Sequence, residues 1–118
     1  MISIRGATTI QNDIEEELIA GTTELLQETI KANKLDINNI TAIIFTCTKD
    51  ITSAYPAKAA RDIGIVNSAL MCVQEMYVKN SLMMCIRICI FYNDDSLAGN
   101  IKHVFLRKAI GLRPDLIN

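Results

Sequence analysis

The sequence predicts an α+β domain, with a five-stranded mixed β-sheet and one long and one short helix packed on one of its faces. Half of the 118 residues are hydrophobic, so the chain can bury a core without disulfides or metal. Segments patterned as strands alternate with two segments of helical periodicity, in the order β-α-β-α-β-β-β. The length corresponds to one domain, which we expect to span residues 1–118.

The start of the chain predicts a strand at residues 2–8 and a long helix at residues 12–33. Asn12 is a candidate N-cap, with Glu15 three residues further on. Leucines and isoleucines recur at helical spacing and form one broad apolar face. Acidic residues crowd the start of this helix and lysines its end, which suits the helix dipole. The acidic cluster therefore indicates a solvated helix start rather than a group of catalytic carboxylates.

The remaining elements are shorter. A β-branched strand is predicted at residues 40–48, with apolar residues on both faces that indicate an interior position in the sheet. A short helix at 56–62 has proline in its first turn. Strands are predicted at 69–78 and 81–91, and the alternation in 101–112 favours a strand, although a short helix also fits. With both helices on one sheet face, we expect the other face to be buried in an oligomer.

Composition argues against several classes of function. The formal net charge is −1 without long blocks of like charge, whereas a protein that binds nucleic acid normally shows a basic stripe. No apolar run reaches the roughly 18 residues of a membrane span, and no secretory signal is recognisable. The four cysteines form no CxxC pair and there is one histidine, so we expect no metal site but buried, reduced thiols in a cytoplasmic protein.

Two apolar segments each contain a charge. Glu75 lies in the segment CVQEM at 72–76, and Arg87 is the only charge in the eleven residues 82–92. An ionised group in such surroundings is costly to desolvate unless something pairs with it. Two interpretations remain open: Glu75 and Arg87 neutralise each other and set the strand register, or Arg87 faces a cavity that receives an anion.

Further cations extend this candidate site, although each one alone is typical of a protein surface. They are Arg5, Lys58, Arg61 and Arg113. Acid/base groups are scarce, since His103 is the only imidazole and nothing places it beside a cysteine. The glycines are isolated and form no phosphate-binding loop. Such a pocket suits a multiply anionic molecule and a reaction that needs only charge stabilisation and conformational restraint.

At these residues the sequence closely resembles the monofunctional chorismate mutases of the small α/β type. The resemblance runs over nearly the whole chain. It rests on six segments in order: IRGATT at 4–9, YPAKAAR at 55–61, CVQEM at 72–76, CIR at 85–87, HVFL at 103–106 and LRPDL at 112–116. Together these segments are a specific signal, whereas any one of them alone would be weak.

The resemblance implies a homotrimer with a barrel-like core of three sheets and active sites in clefts between subunits. It also implies conversion of chorismate to prephenate, on the route to phenylalanine and tyrosine, without a cofactor. By this analogy Arg87 stabilises the departing ether oxygen, Arg5 holds the enolpyruvyl carboxylate, and Glu75 accepts a hydrogen bond from the ring hydroxyl close to Cys72. Arg61 and Arg113 line or close the mouth of the cleft. The walls of the cleft are formed by Tyr55, Ala57, Lys58, Leu70, Met71, Phe105 and Leu112.

The chain departs from the resemblance at Phe105, where the family commonly has a tyrosine whose hydroxyl would reach a substrate carboxylate. We therefore expect weaker substrate binding with an unchanged mechanism. Tyr55 stands where phenylalanine is common and keeps an aromatic wall. The residues leave two other interpretations open. The protein could be a non-catalytic trimer that binds a small anionic aromatic metabolite, or the charged residues could have a structural role only.

Overall fold

The computed structural model of the protein describes residues 1–112, so Arg113 lies outside the described residues. A short 3-10 helix at Ile37–Asn39 lies between two of the regular elements, and another at Arg107–Gly111 follows the last of them. The strands and helices, in chain order, are β1 (Ile2–Thr9), α1 (Glu15–Asn33), β2 (Ile40–Cys47), α2 (Ala57–Asp62), β3 (Ala69–Gln74), β4 (Cys85–Tyr92) and β5 (Val104–Phe105).

The five strands form one mixed sheet in the order β3-β2-β4-β1-β5. β4 lies in the middle and pairs antiparallel with both β1 and β2. The outer pairs, β2 with β3 and β1 with β5, are parallel. A parallel pair needs a crossover connection, and α2 provides the one between β2 and β3. The predicted five-stranded mixed sheet with two helices is therefore confirmed, and β2 is an interior strand as its two apolar faces indicated.

The core lies between α1, α2 and one face of the sheet. Ile4, Ile43 and Ile90 come from three strands of this face and are fully buried against Leu25 and Leu26 of α1. Side chains alternate between faces along a strand, so the neighbours of these isoleucines point to the opposite side. We call that opposite side the open face, because neither α1 nor α2 covers it.

Apolar side chains remain exposed at the β3 end of the open face. Met71 is 60% exposed and Val73 41%, and Met76 follows at 79% just beyond the strand. Exposed apolar side chains that lie near one another are typical of interaction surfaces. The oligomer expected from the sequence stays a prediction, and this patch is the feature that supports it.

The predicted start of the long helix is wrong by about one turn. Asn12 does not cap it; α1 begins at Glu15, and its N-cap Ile14 makes no side-chain hydrogen bond. Instead the Glu17 carboxylate accepts from the backbone amides of Gln11 at 2.6 Å and Asn12 at 3.0 Å. A carboxylate inside the first turn thus binds the preceding amides, because the chain turns back over the helix start.

Two strand boundaries also differ from the prediction. β3 ends at Gln74 and not at residue 78, and β4 begins at Cys85 and not at residue 81. The intervening chain turns, with positive φ at Asn80 and Met84. The ambiguous segment 101–112 contains both alternatives, a two-residue strand and then the second 3-10 helix.

No helix within residues 1–112 is long and apolar enough to cross a membrane.

Candidate active site

The register of the sheet places one residue from each strand in a row across the open face. Its order is Phe105 (β5), Ala7 (β1), Arg87 (β4), Thr46 (β2) and Val73 (β3), each paired with the next. Paired residues in adjacent strands point to the same side of a sheet. Arg87 therefore stands in the centre of the row, with the small Ala7 on one side and the Thr46 hydroxyl on the other.

β5 approaches β1 closely enough to bring Phe105 into this row. A Cβ atom added to Gly6 would lie 2.9 Å from the Val104 carbonyl oxygen, so only glycine fits there without a shift. Phe105 then packs with Ala7, and Leu112 joins the same cluster. Two predicted wall residues, Phe105 and Leu112, thus lie together beside the row.

Glu75 reaches the row from just beyond the end of β3. Its backbone amide donates to the Cys47 carbonyl at 2.8 Å, which anchors the residue next to β2. Its Oε1 atom accepts a hydrogen bond from Thr46 Oγ1 at 2.8 Å and lies 2.9 Å from Arg87 Nε. The ion pair that the sequence allowed therefore exists.

The pair does not satisfy the guanidinium. Arg87 Nε is buried, and despite its short distance to Glu75 it has no aligned hydrogen-bond partner among residues 1–112. The Arg87 side chain is 34% exposed and that of Glu75 24%, so both groups remain reachable from the open face. Because a fully paired arginine–carboxylate fork would use two aligned hydrogen bonds, this contact leaves donor capacity on Arg87 for a further partner.

Arg5 lies on the same face, one strand away. It pairs with Cys89 of β4, which is two residues from Arg87, so Arg5 and Arg87 are diagonal neighbours. The backbone amide of Arg5 donates to His103 Nδ1 at 2.9 Å. Two guanidinium groups on one face give the row a cationic character that suits an anion.

A second group of predicted residues lies around a cleft of about 600 Å³ beside the start of α2, which Val73 at the end of the row also lines. Tyr55, Lys58, Arg61 and Cys72 all line it. Lys58 pairs with Asp62 at 3.1 Å, but both side chains are about half exposed, so this pair contributes little. Arg61 forms no ion pair with any of residues 1–112, which leaves a cation at the mouth of the cleft.

The remaining predicted wall residues are divided between the two faces. Ala57, the first residue of α2, is buried and Leu70 packs against the core, whereas Met71 is exposed on the open face. Cys72 pairs with Phe45 on the helix-covered face, while Glu75 reaches the open face. The two side chains thus lie on opposite faces within one chain, and their expected closeness stays a prediction.

Three of the four thiols are poor nucleophiles. Burial raises the pKa of Cys47 to about 12 and that of Cys85 to about 11, with the Arg87 charge opposing the shift at Cys85. Burial also raises the pKa of Cys89, against the lowering effect of Arg5. The thiolate is the reactive form, so these three thiols stay protonated at neutral pH. No group of three or more potential ligands within residues 1–112 is arranged to hold a metal ion.

Sequence reasoning missed Thr46. Its hydroxyl contacts the carboxylate of Glu75, which is 29 residues further along the chain. The period-two pattern of β2 separates Thr46 from Phe45 by face, but it does not indicate which carboxylate the hydroxyl meets. Only the register between β2, β3 and β4 brings the three side chains together.

The fold and the site together define a small α+β domain with two arginines and one carboxylate on an open sheet face. The family model for chorismate mutase type I matches residues 1–116, and this chain belongs to that family. Chorismate mutase AroH of Thermus thermophilus is 42% identical over 114 residues, which cover 96% of this chain and 93% of that protein. Chorismate mutase AroH of Bacillus subtilis is 38% identical over 114 residues, covering 96% of this chain and 90% of that protein.

A solved structure supports the same relationship. The chorismate mutase from Clostridium thermocellum superposes with a TM-score of 0.90 at 44% sequence identity. The match covers 92% of this chain and 97% of that one. The resemblance found in the sequence motifs is therefore confirmed along almost the entire chain.

Proposed function

We propose that this protein is a chorismate mutase, which converts chorismate to prephenate in the biosynthesis of phenylalanine and tyrosine, and that the row around Arg87 belongs to its active site. Family membership supports the reaction, and no observation favours the non-catalytic binding protein. The observation that carries the placement is Arg87: it is central in the row, one-third exposed, and without an aligned hydrogen-bond partner at Nε among residues 1–112.

The reaction needs little from the protein in acid/base chemistry. In this intramolecular rearrangement the ether C–O bond breaks as a C–C bond forms within the same molecule, and no proton has to be transferred. Negative charge develops on the ether oxygen as that bond breaks. A fixed cationic donor aimed at this oxygen binds the transition state better than the substrate, which is the condition for acceleration. The protonated thiols beside Arg87 and Arg5 fit a site without a nucleophile.

Arg87 supplies this donor. Its guanidinium can direct one N–H at the ether oxygen and another at a substrate carboxylate. Arg5, diagonally adjacent, holds the enolpyruvyl carboxylate, since chorismate is a dianion. Glu75 accepts from the ring hydroxyl, and Phe105 and Leu112 form an apolar wall that limits the substrate to a compact shape.

One donor cannot account for the whole acceleration. A millionfold gain corresponds to about 8 kcal/mol, and a single well-placed donor typically supplies about 3–4 kcal/mol. Restraint of chorismate in its reactive pseudo-diaxial conformation must provide much of the rest. The contribution of Phe105 and Leu112 is therefore steric rather than electrostatic.

The proposed site is incomplete within one chain. Arg5, Glu75 and Arg87 lie on the open face, whereas the residues around the cleft are reached from the α2 side. A homotrimer in which the cleft of one copy adjoins the open face of the next would bring the two groups around one substrate. The exposed Met71 and Val73 support this arrangement, because burial between copies would remove them from water.

Two measurements test these proposals separately. Loss of chorismate absorbance in the presence of the protein tests the reaction. Binding without turnover would favour the non-catalytic metabolite-binding protein. If the protein neither binds nor converts chorismate, the charged residues have a structural role only. Sedimentation analysis tests the trimer, and a monomer at assay concentration would contradict the shared site. We also propose that the enzyme is cytoplasmic, since its four cysteines are all free thiols.

A further inference from the structure

Thr46 lies at the contact between the two charged groups of the row. β2 places its side chain directly beside Arg87 of β4 and beside Val73 of β3. From this position the hydroxyl donates to Glu75 Oε1 at 2.8 Å. Among residues 1–112 this is the one hydrogen bond to the Glu75 carboxylate. Arg87 Nε lies close to it but is not aligned to donate.

Both contacts to the carboxylate fall on the same oxygen. Thr46 and Arg87 share Oε1, and Oε2 is left to accept from another group. An arginine and a carboxylate that meet without other restraint prefer a bidentate fork, with two parallel hydrogen bonds to the two oxygens. The observed geometry differs from that fork, and the Thr46 hydroxyl is the one hydrogen-bond donor to this carboxylate among residues 1–112.

We infer that Thr46 is a positioning residue, which prevents Glu75 from closing a bidentate fork on Arg87. This inference rests on the proposed function, because it concerns which donors stay free for chorismate. With Thr46 in place, Oε2 is available for the ring hydroxyl and the guanidinium for the ether oxygen. Without the hydroxyl, Glu75 rotates towards Arg87, and the two charges neutralise each other before the substrate arrives.

Thr46→Val tests this role, because valine keeps the size and β-branching but has no hydroxyl. We expect kcat/KM for chorismate to fall about ten- to a hundredfold, the range for loss of a hydrogen bond to a charged group. The loss should appear in kcat with little change in KM, since the interaction at Arg87 is strongest in the transition state. Thr46→Ser retains the hydroxyl and should restore turnover to within about threefold.

Two comparisons separate positioning from a merely structural role. Thr41→Val makes the same change on the same strand, where the hydroxyl donates to the Phe91 carbonyl at 3.1 Å, and should leave kcat unchanged. In a Glu75→Gln background, Thr46→Val should add little, because a neutral amide cannot form the ion-paired fork. A full additional loss in that background, or a Thr46→Val enzyme with normal kcat, would overturn the inference.

A crystal structure of Thr46→Val tests the inference without any assay of turnover. We expect Glu75 Oε2 within hydrogen-bond distance of a terminal nitrogen of Arg87, whereas an unchanged carboxylate orientation would refute the positioning role. A wild-type protein that does not consume chorismate would instead refute the proposed reaction, and the Thr46→Val structure would still decide the orientation of Glu75.

Discussion

Replacing Arg87 by lysine tests the charge-placement mechanism most directly. Lysine keeps a positive charge but exchanges a planar fork of donors for one compact ammonium group. In the structure Arg87 has to serve two partners, since its Nε lies 2.9 Å from Glu75 while the rest of the guanidinium is proposed to meet the substrate. An ammonium that pairs with Glu75 cannot direct a second, coplanar donor at the ether oxygen.

The expected magnitudes differ for activity and stability. Losing one aimed donor costs about 3–4 kcal/mol of transition-state stabilisation, so kcat should fall by a factor of about 100 to 1000. Arg87→Ala should lose more, because the charge goes as well. The ion pair itself contributes about 1 kcal/mol or less to folding, since its side chains are 34% and 24% exposed to solvent. Activity should therefore collapse while the melting temperature changes by only a few degrees.

The assay is the initial rate of chorismate loss over a range of concentrations, with a thermal melt of each variant. Arg107→Lys is the matched control, because Arg107 is also ion-paired, to Glu24 at 3.2 Å, but lies outside the row with its side chain 57% exposed. That variant should keep kcat within about twofold. Near-normal turnover by Arg87→Lys would refute the argument that a fork of donors is required.

Phe105→Tyr should lower KM for chorismate by about tenfold and leave kcat within a few-fold, because it adds a hydroxyl donor for a substrate carboxylate beside the row. Steady-state kinetics would measure this, and an unchanged KM would contradict the proposed position of the ring beside the substrate. Cys85 should react with iodoacetamide slowly at pH 7 and faster above pH 9, because burial raises its pKa to about 11, and peptide mass spectrometry would follow the labelling. The folded pKa lies above the ordinary value of 9.0, so any stabilisation linked to this shift is complete below pH 9 and is lost as the pH rises towards 11. Glu17→Gln should destabilise the fold at pH 7, because hydrogen bonds from the amides of Asn12 and Gln11 lower the pKa of this carboxylate below its ordinary 4.5. That effect is present above pH 4.5 and should shrink as the pH falls below that value. Urea denaturation at pH 7 and at pH 3 would measure the difference in unfolding free energy between variant and wild type, and an equal difference at both pH values would rule out this linkage.

The elements that sequence patterns predicted well are those with strong periodicity. β2 reads as an interior strand because both of its faces are apolar, and it is one. The predicted start of α1 is wrong because Asn12 is a residue type that often caps helices. The group that accepts hydrogen bonds from the backbone amides here is the Glu17 carboxylate, which lies inside the helix. Capping depends on where the chain turns, and a turn is decided by packing as much as by residue type.

The segment near β5 shows a second limit. Alternation in residues 101–112 favours a strand and leaves a short helix open, and it cannot show that only Val104–Phe105 pair with β1 before a 3-10 helix begins. The pairing is allowed by Gly6, which admits the Val104 carbonyl at a distance that a Cβ would not tolerate. A close approach between strands so distant in sequence leaves no local signal.

The chemical groups available to this protein can be identified from its residues: the apolar periodicities of the sheet and helices, the arginines, the scarcity of acid/base groups, and motifs specific enough to assign a family. Which of these groups meet depends on the folded chain. It placed Arg87, Glu75 and Thr46 in contact and left Cys72 on the other face. The physical reason is strand register, since side-chain neighbours across a sheet are set by long-range pairing and a shift of one residue reverses the face of every side chain.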